Sequence, residues 1–197
     1  IFPSDSIIKI GEGDGYPITG LAILSNALII SKNNGRGQGS MWLLYMPDAN
    51  PINWSLTKLD MENSTQSANV MINFSNYIAV LNKNGVFDLD QTAIGVIKSD
   101  ALSFNIEKDI YDLANAYLNC ATAITWKNKI WLSVPYGGAQ SFNNRILQYD
   151  FIRGRNIDNR EYGAWSRFDG HNISEFCIHD GELLGGSALQ DGIVYKL

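Results

Sequence analysis

The sequence predicts an all-β fold: a β-propeller-like array of about four blades of antiparallel strands, with one short helix between the second and third blades. Three observations predict it. Apolar runs rich in β-branched and aromatic residues alternate with Gly, Asn and Ser along the chain. A two-residue polar turn between two apolar runs recurs at Ser25-Asn26, Ser75-Asn76, Lys127-Asn128 and Asp180-Gly181. The second turn residues are 50, 52 and 53 positions apart. Units of about 40–50 residues with four strands each are the mark of propeller blades.

The elements follow in order. Residues 6–10 form a spare N-terminal strand, expected to pair beside 193–197 and close the array. Each two-residue turn joins the first two strands of a unit, since Asn-Gly-like pairs favour the primed turns that match strand twist. Third strands are expected at 40–46, 86–89, 145–151 and 193–197. Fourth strands are expected at 52–59, 92–98 and 162–168. Trp54 and Trp165 occupy matching places in fourth strands, and packing between blades is the expected role of each. Ile106, Ile110, Leu113 and Tyr117 recur on one helical face, which predicts a helix over 106–117 with Asn105 as its N-cap. Its place between units two and three suggests a lid over one rim.

The chain has 197 residues, enough for one domain spanning 1–197, and its start at Ile1 fits a piece of a longer polypeptide. A net charge of −5 argues against direct nucleic-acid recognition, which needs clustered Lys and Arg. No run of about 18 apolar residues is present to span a membrane. Cys120 and Cys177 form no CxxC pair and are expected as free, buried thiols.

Catalytic signals are absent from the sequence. Asp88 and Asp90 share one face of a strand, and Asp158 and Glu161 fall in a loop, with nothing beside either pair for acid–base work. Both pairs are expected to be solvated. His171 and His179 are too few for a metal set, and no cofactor is expected. The run Gly11-Glu12-Gly13-Asp14-Gly15 lacks the Lys and the helix of a phosphate loop, and its acids are not spaced for calcium. No GxSxG stretch and no sialidase-type SxDxGxTW box occurs. Arg153, Arg155 and Arg160 form the densest basic stretch, expected in a loop with Asp158 and Glu161 as local partners.

Loop length is the informative feature. Units one and three carry long loops at 33–39 and 136–144, whereas Asn84-Gly85 and Asp191-Gly192 are short turns. Long loops on a rigid scaffold are where binding resides. Arg36, Tyr136, Phe142 and Arg145 are the candidate interface residues, because aromatic and Arg side chains anchor protein interfaces.

The segments ITGLAILSNALIISK, SMWLLYM and NYIAVLNKNGVFDLD resemble the propeller segments of tailed-bacteriophage structural proteins. So do KNKIWLSVPYGG, NNRILQYD and GAWSRFDG. Those are tail, nozzle or head–tail connector components, and the resemblance covers residues 16–197. It implies a non-enzymatic virion component, made in the bacterial host cytoplasm and assembled as a homo-oligomeric ring with other phage structural proteins. It brings no family active site. Two alternatives stay open. One is a carbohydrate- or receptor-binding module using Trp42, Trp126, Trp131 and Tyr136, so that a glycan is a conceivable ligand. The other is a glycan-cleaving enzyme.

Overall fold

The computed structural model describes residues 7–35, 38–59, 64–74, 77–91, 97–157 and 160–197. The chain is mostly β, 54% strand and 12% helical, in four antiparallel sheets. Each sheet is a meander of consecutive strands. Sheet one contains β1 (Ile18–Leu24), β2 (Ala27–Asn33), β3 (Gly39–Tyr45) and β4 (Ser55–Leu59). Sheet two contains β5 (Met71–Phe74), β6 (Tyr77–Asn82), β7 (Gly85–Gln91) and β8 (Ile97–Ala101). Sheet three contains β9 (Thr122–Trp126), β10 (Lys129–Val134), β11 (Arg145–Ile157) and β12 (Arg160–Asp169). Sheet four contains β13 (Ile173–His179), β14 (Glu182–Ser187) and β15 (Val194–Lys196).

The hairpin turns carry the expected backbone. Lys127, Asn128, Asp180 and Gly181 all have positive φ, as a primed turn requires. In the first turn Ser25 has φ 57°. The turn at Ser75-Asn76 lies outside the described residues.

The core forms between successive sheets. Ala22, Leu24, Ile29 and Met41 of sheet one meet Met71, Ile78, Val80 and Leu89 of sheet two. The opposite face of sheet two, with Ala79, Leu81 and Val86, meets Ile130, Leu132, Val134, Leu147 and Tyr149 of sheet three. Trp131 and Ile146 on the far side of sheet three meet Ile173 and Leu183 of sheet four. Sheets two and three are therefore covered on both faces, which is why YIAVL and IWL read as apolar runs without alternation. The first strands lie side by side in the order β1, β5, β9, β13.

Polar side chains tie the sheets to neighbouring sheets and connections. The Thr65 N–H donates to Ser31 Oγ at 2.9 Å, and the Ser133 hydroxyl donates to the Ile173 carbonyl at 2.9 Å. Both serines stand five residues after the second turn residue of their unit. Glu175 on β13 accepts from Asn69 Nδ2 at 2.7 Å and from Thr122 Oγ1 at 2.6 Å, joining sheet four to sheet three and to the 3-10 turn at Ala68–Val70 before β5.

Several expectations are corrected. Residues 7–10 form no strand, and among the described residues sheet four ends at β15. The N-terminal segment instead docks on sheet one. Lys32 Nζ donates to the Ile10 carbonyl at 2.6 Å, to the Gly11 carbonyl at 3.1 Å and to Asp14 at 2.6 Å. A buried ammonium needs such partners, and the Gly-rich run supplies them through positive-φ turns at Gly11 and Gly13. The expected helix over 106–117 shrinks to α1 (Glu107–Tyr111), flanked by 3-10 turns at Phe104–Ile106 and Asn115–Cys120. Ile106, not Asn105, is the N-cap residue, with no side-chain cap bond. The helix stops because Leu113 bridges to Tyr136 and the Ala114 N–H donates to the Pro135 carbonyl at 2.9 Å. It is no lid either. Ile106, Ile110, Leu113 and Leu118 are buried in the core between sheets two and three.

The strand bounds move as well. Residues 51–53 form a 3-10 turn before β4, and 92–96 lie outside the described residues. Arg153, Arg155 and Arg160 fall within β11 and β12, not in a loop, because that hairpin keeps pairing to Ile157 and Arg160. Asp158 lies outside the described residues.

Candidate interaction surface

The two long loops connect the second and third strands of sheets one and three, at corresponding ends of those sheets. Asparagines clamp both necks. The Tyr136 N–H donates to Asn144 Oδ1 at 2.7 Å, and Asn144 Nδ2 donates back to the Tyr136 carbonyl at 3.0 Å. Buried Asn143 donates to the Cys120 carbonyl at 2.7 Å and the Ile173 carbonyl at 2.9 Å. In the other loop Asn33 Nδ2 donates to Ser64 Oγ at 3.0 Å, and Asn33 Oδ1 accepts from the Gly35 N–H at 2.8 Å. Gly39 has to be glycine, since a Cβ there would fall 2.0 Å from the Lys32 carbonyl oxygen.

The structure brings Tyr136 and Arg145 together. The Arg145 guanidinium lies 3.4 Å from the Tyr136 ring centroid. It pairs with Asp109 at 3.0 Å and with Asp169 at 2.6 Å. Asp109 projects from α1 and is only 3% exposed, so it also takes Arg167 at 3.1 Å. The Tyr136 hydroxyl donates to Asp112 at 3.0 Å. Burial alone would lower the Arg145 guanidinium, but the hydrogen bonds to Asp169 and Tyr136 outweigh it and its pKa is raised. Two of the four candidate anchors thus serve the inside of the protein, locking the loop to the helix. Phe142 is half-buried next to the exposed tip residues Gly138, Ala139 and Ser141. Arg36 lies outside the described residues.

Other singled-out residues resolve as follows. Trp165 sits between sheets two and three as expected and donates to the Leu102 carbonyl at 2.9 Å. Trp54 instead donates to the Asp48 carbonyl at 2.8 Å, within its own turn. Both cysteines are free, but Cys177 is exposed, because it faces away from sheet three on the uncovered side of sheet four. Asp88 is half-buried rather than fully solvated, and accepts from the Asp100 N–H at 2.7 Å. Burial, aided by Asp100 and Asp90 against that hydrogen bond, pushes its carboxyl up. Tyr77 is pushed up as well, chiefly by burial, and its hydroxyl is buried without a partner among the described residues. His179 is exposed, 3.4 Å from Asp180. No group of three metal-ligating side chains occurs among the described residues. A cleft of about 520 Å³ runs along β1, β5 and β9, lined by Leu21, Ile23, Ile72 and Ile124 among others and by no charged side chain.

The residues missed by sequence reasoning are Asp109, Asp112 and Lys32. Asp109 in α1 and Asp112 just after it reach across to Arg145 and Tyr136. No spacing signal joins positions so far apart.

No protein-family model and no curated protein matches the chain. A solved structure, the crystal structure of the computationally designed Ika4 protein, is similar in fold. The likeness covers 94% of this chain and 93% of that one, with a TM-score of 0.52 and 15% identity. At that identity it speaks to fold alone.

Proposed function

We propose that the chain is a non-enzymatic structural component of a tailed-phage particle. Its four sheets act as propeller-like blades, and the 33–39 and 136–144 loops dock neighbouring subunits. One observation carries the reading. The β10–β11 loop is clamped at its neck and braced against α1, while its tip stays exposed. A loop ordered before contact loses little entropy on docking, as an assembly surface needs. The phage assignment rests on the sequence resemblance. The glycan reading is less favoured, because its aromatics are already engaged. Trp131 is 8% exposed, Tyr136 lies under Arg145, and the Trp126 ring is covered by Lys127 at 3.9 Å.

The test alters only the tips. Residues 138–141 are replaced by an Asn-Gly turn, together with Arg36→Ala and Phe142→Ala. Tyr136, Asn143, Asn144 and Arg145 are kept. Lost particle assembly at an unchanged melting temperature is the expected result. Normal assembly by the folded variant overturns the docking role.

A further inference from the structure

Among the described residues, sheets one and four each leave one face without a partner sheet. Position relative to the hairpin turn shows which face it is. In sheets two and three the residues two and four places after the second turn residue look back at the preceding sheet: Ile78 and Val80, then Ile130 and Leu132. In sheet four Leu183 holds the first of these places and meets sheet three. The same two places in sheet one are Leu28 and Ile30. They share a face with Leu21 and Ile23 through the pairs Leu21↔Ile30 and Ile23↔Leu28, and with Trp42 and Leu44 through β3. Sheet one therefore carries a receiving face with no preceding sheet upon it. Part of that face is already buried, with Ile30 at 2% and Leu44 at 6% exposed, where the N-terminal segment lies against Lys32 and Trp42. The part along β1 stays open: Leu21 is 54% exposed and Ile23 is 60% exposed.

Sheet four offers the complement. In sheets one to three the residue three places after the second turn residue looks forward to the next sheet: Ile29, Ala79 and Trp131. In sheet four that place is Leu184. Cys177 and Lys196 pair beside Leu184, and Val194 pairs beside Gly186 on the same face, which also carries His179 and the Lys196–Glu182 pair at its rim. Val194 is 66% exposed and Cys177 is exposed. Among the described residues no hydrophobic cluster joins sheet four to sheet one.

We propose that these two faces are partners across copies. Sheet four of one chain seats on sheet one of a second, and the reverse junction forms at the same time, closing a ring of two copies. The argument is continuity: the missing junction repeats, position for position, the junctions already made within the chain. A head-to-tail contact closes when the rotation allows, and two copies use every free face. Exposed apolar patches rimmed by polar residues mark sites of association. The inference rests on the blade arrangement proposed above, not on the phage role. The docking loops are elsewhere, so the two fail independently.

The test is the solution mass of the full chain by light scattering after gel filtration, with Ile23→Lys and Val194→Glu. Both positions are exposed in the single chain, so folding should persist, checked by an unchanged circular dichroism spectrum. The wild type is expected at twice 21.9 kDa. Each variant alone is expected at the single-chain mass, or with at least a hundredfold weaker association. Mixing the two variants should restore partial pairing, since one junction stays intact in the mixed pair. A monomeric wild type overturns the proposal, including the case in which sheet four closes on its own sheet one. A larger polymer overturns the two-copy ring. A Val194→Glu chain that still pairs normally also overturns it, because the contact would then be sheet one on sheet one.

Discussion

At the residue scale, paired charges hold the places where chain segments meet. The Asp14–Lys32 pair pins the N-terminal segment to sheet one, and the hydrogen bond from Lys32 holds the Asp14 carboxyl below its ordinary value of 3.8. A lowered carboxyl contributes fully above the ordinary value, and the contribution is lost as pH falls through the lower folded one. Asp14→Asn should therefore melt below the wild type at neutral pH, with the gap closing in acid. Asp88 behaves in the opposite sense. Its raised carboxyl opposes folding at neutral pH, so Asp88→Asn should raise the melting temperature there and change nothing well below 3.8. Thermal melts across a pH series check both. Arg145→Ala leaves buried Asp109 with Arg167 alone. Breaking such a pair costs about 3 kcal/mol, read by urea denaturation. None of these pairs was legible in the sequence, because local pattern carries no signal for partners such as Asp109 and Arg145, which meet only once the sheets have stacked.

At the element scale, the hairpins were legible and the irregular pieces were not. Three of the four predicted turns are seen as turns, since a polar pair between two apolar runs leaves the backbone few alternatives. The 106–117 helix was over-read. Ile106, Ile110 and Leu113 are buried as their spacing suggests, whereas Tyr117 is exposed, and pairing of Leu113 with Tyr136 overrides propensity. The N-terminal strand was misread because SIIKI has strand composition and its true destination depends on Lys32. Turn chemistry leaves room for improvement at Ser25, a non-glycine residue at φ 57°. Asn tolerates that region better, so Ser25→Asn should stabilise by about 0.5 kcal/mol, measured by denaturant midpoint.

At the scale of the whole molecule, the stacked sheets share burial rather than a single centre. Leu132 is 2% exposed between sheets two and three. Leu132→Ala should cost about 3 kcal/mol in chemical denaturation, the usual range for a buried leucine that leaves a cavity. The four-sheet count was readable from the spacing of turns. The candidate site was readable only as loop length, because Tyr136 and Arg145 reveal their inward role only beside α1. Sheet order carries a further consequence for synthesis. Every sheet is one uninterrupted stretch of chain, with each strand paired to its sequence neighbour. Such short-range pairing forms fast and needs nothing from later residues. As the polypeptide leaves the ribosome, each finished meander can settle on the one before it, so the nascent chain shows a single growing apolar front. Aggregation risk during translation is thereby greatest at the newest sheet, beside the open part of sheet one at Leu21 and Ile23.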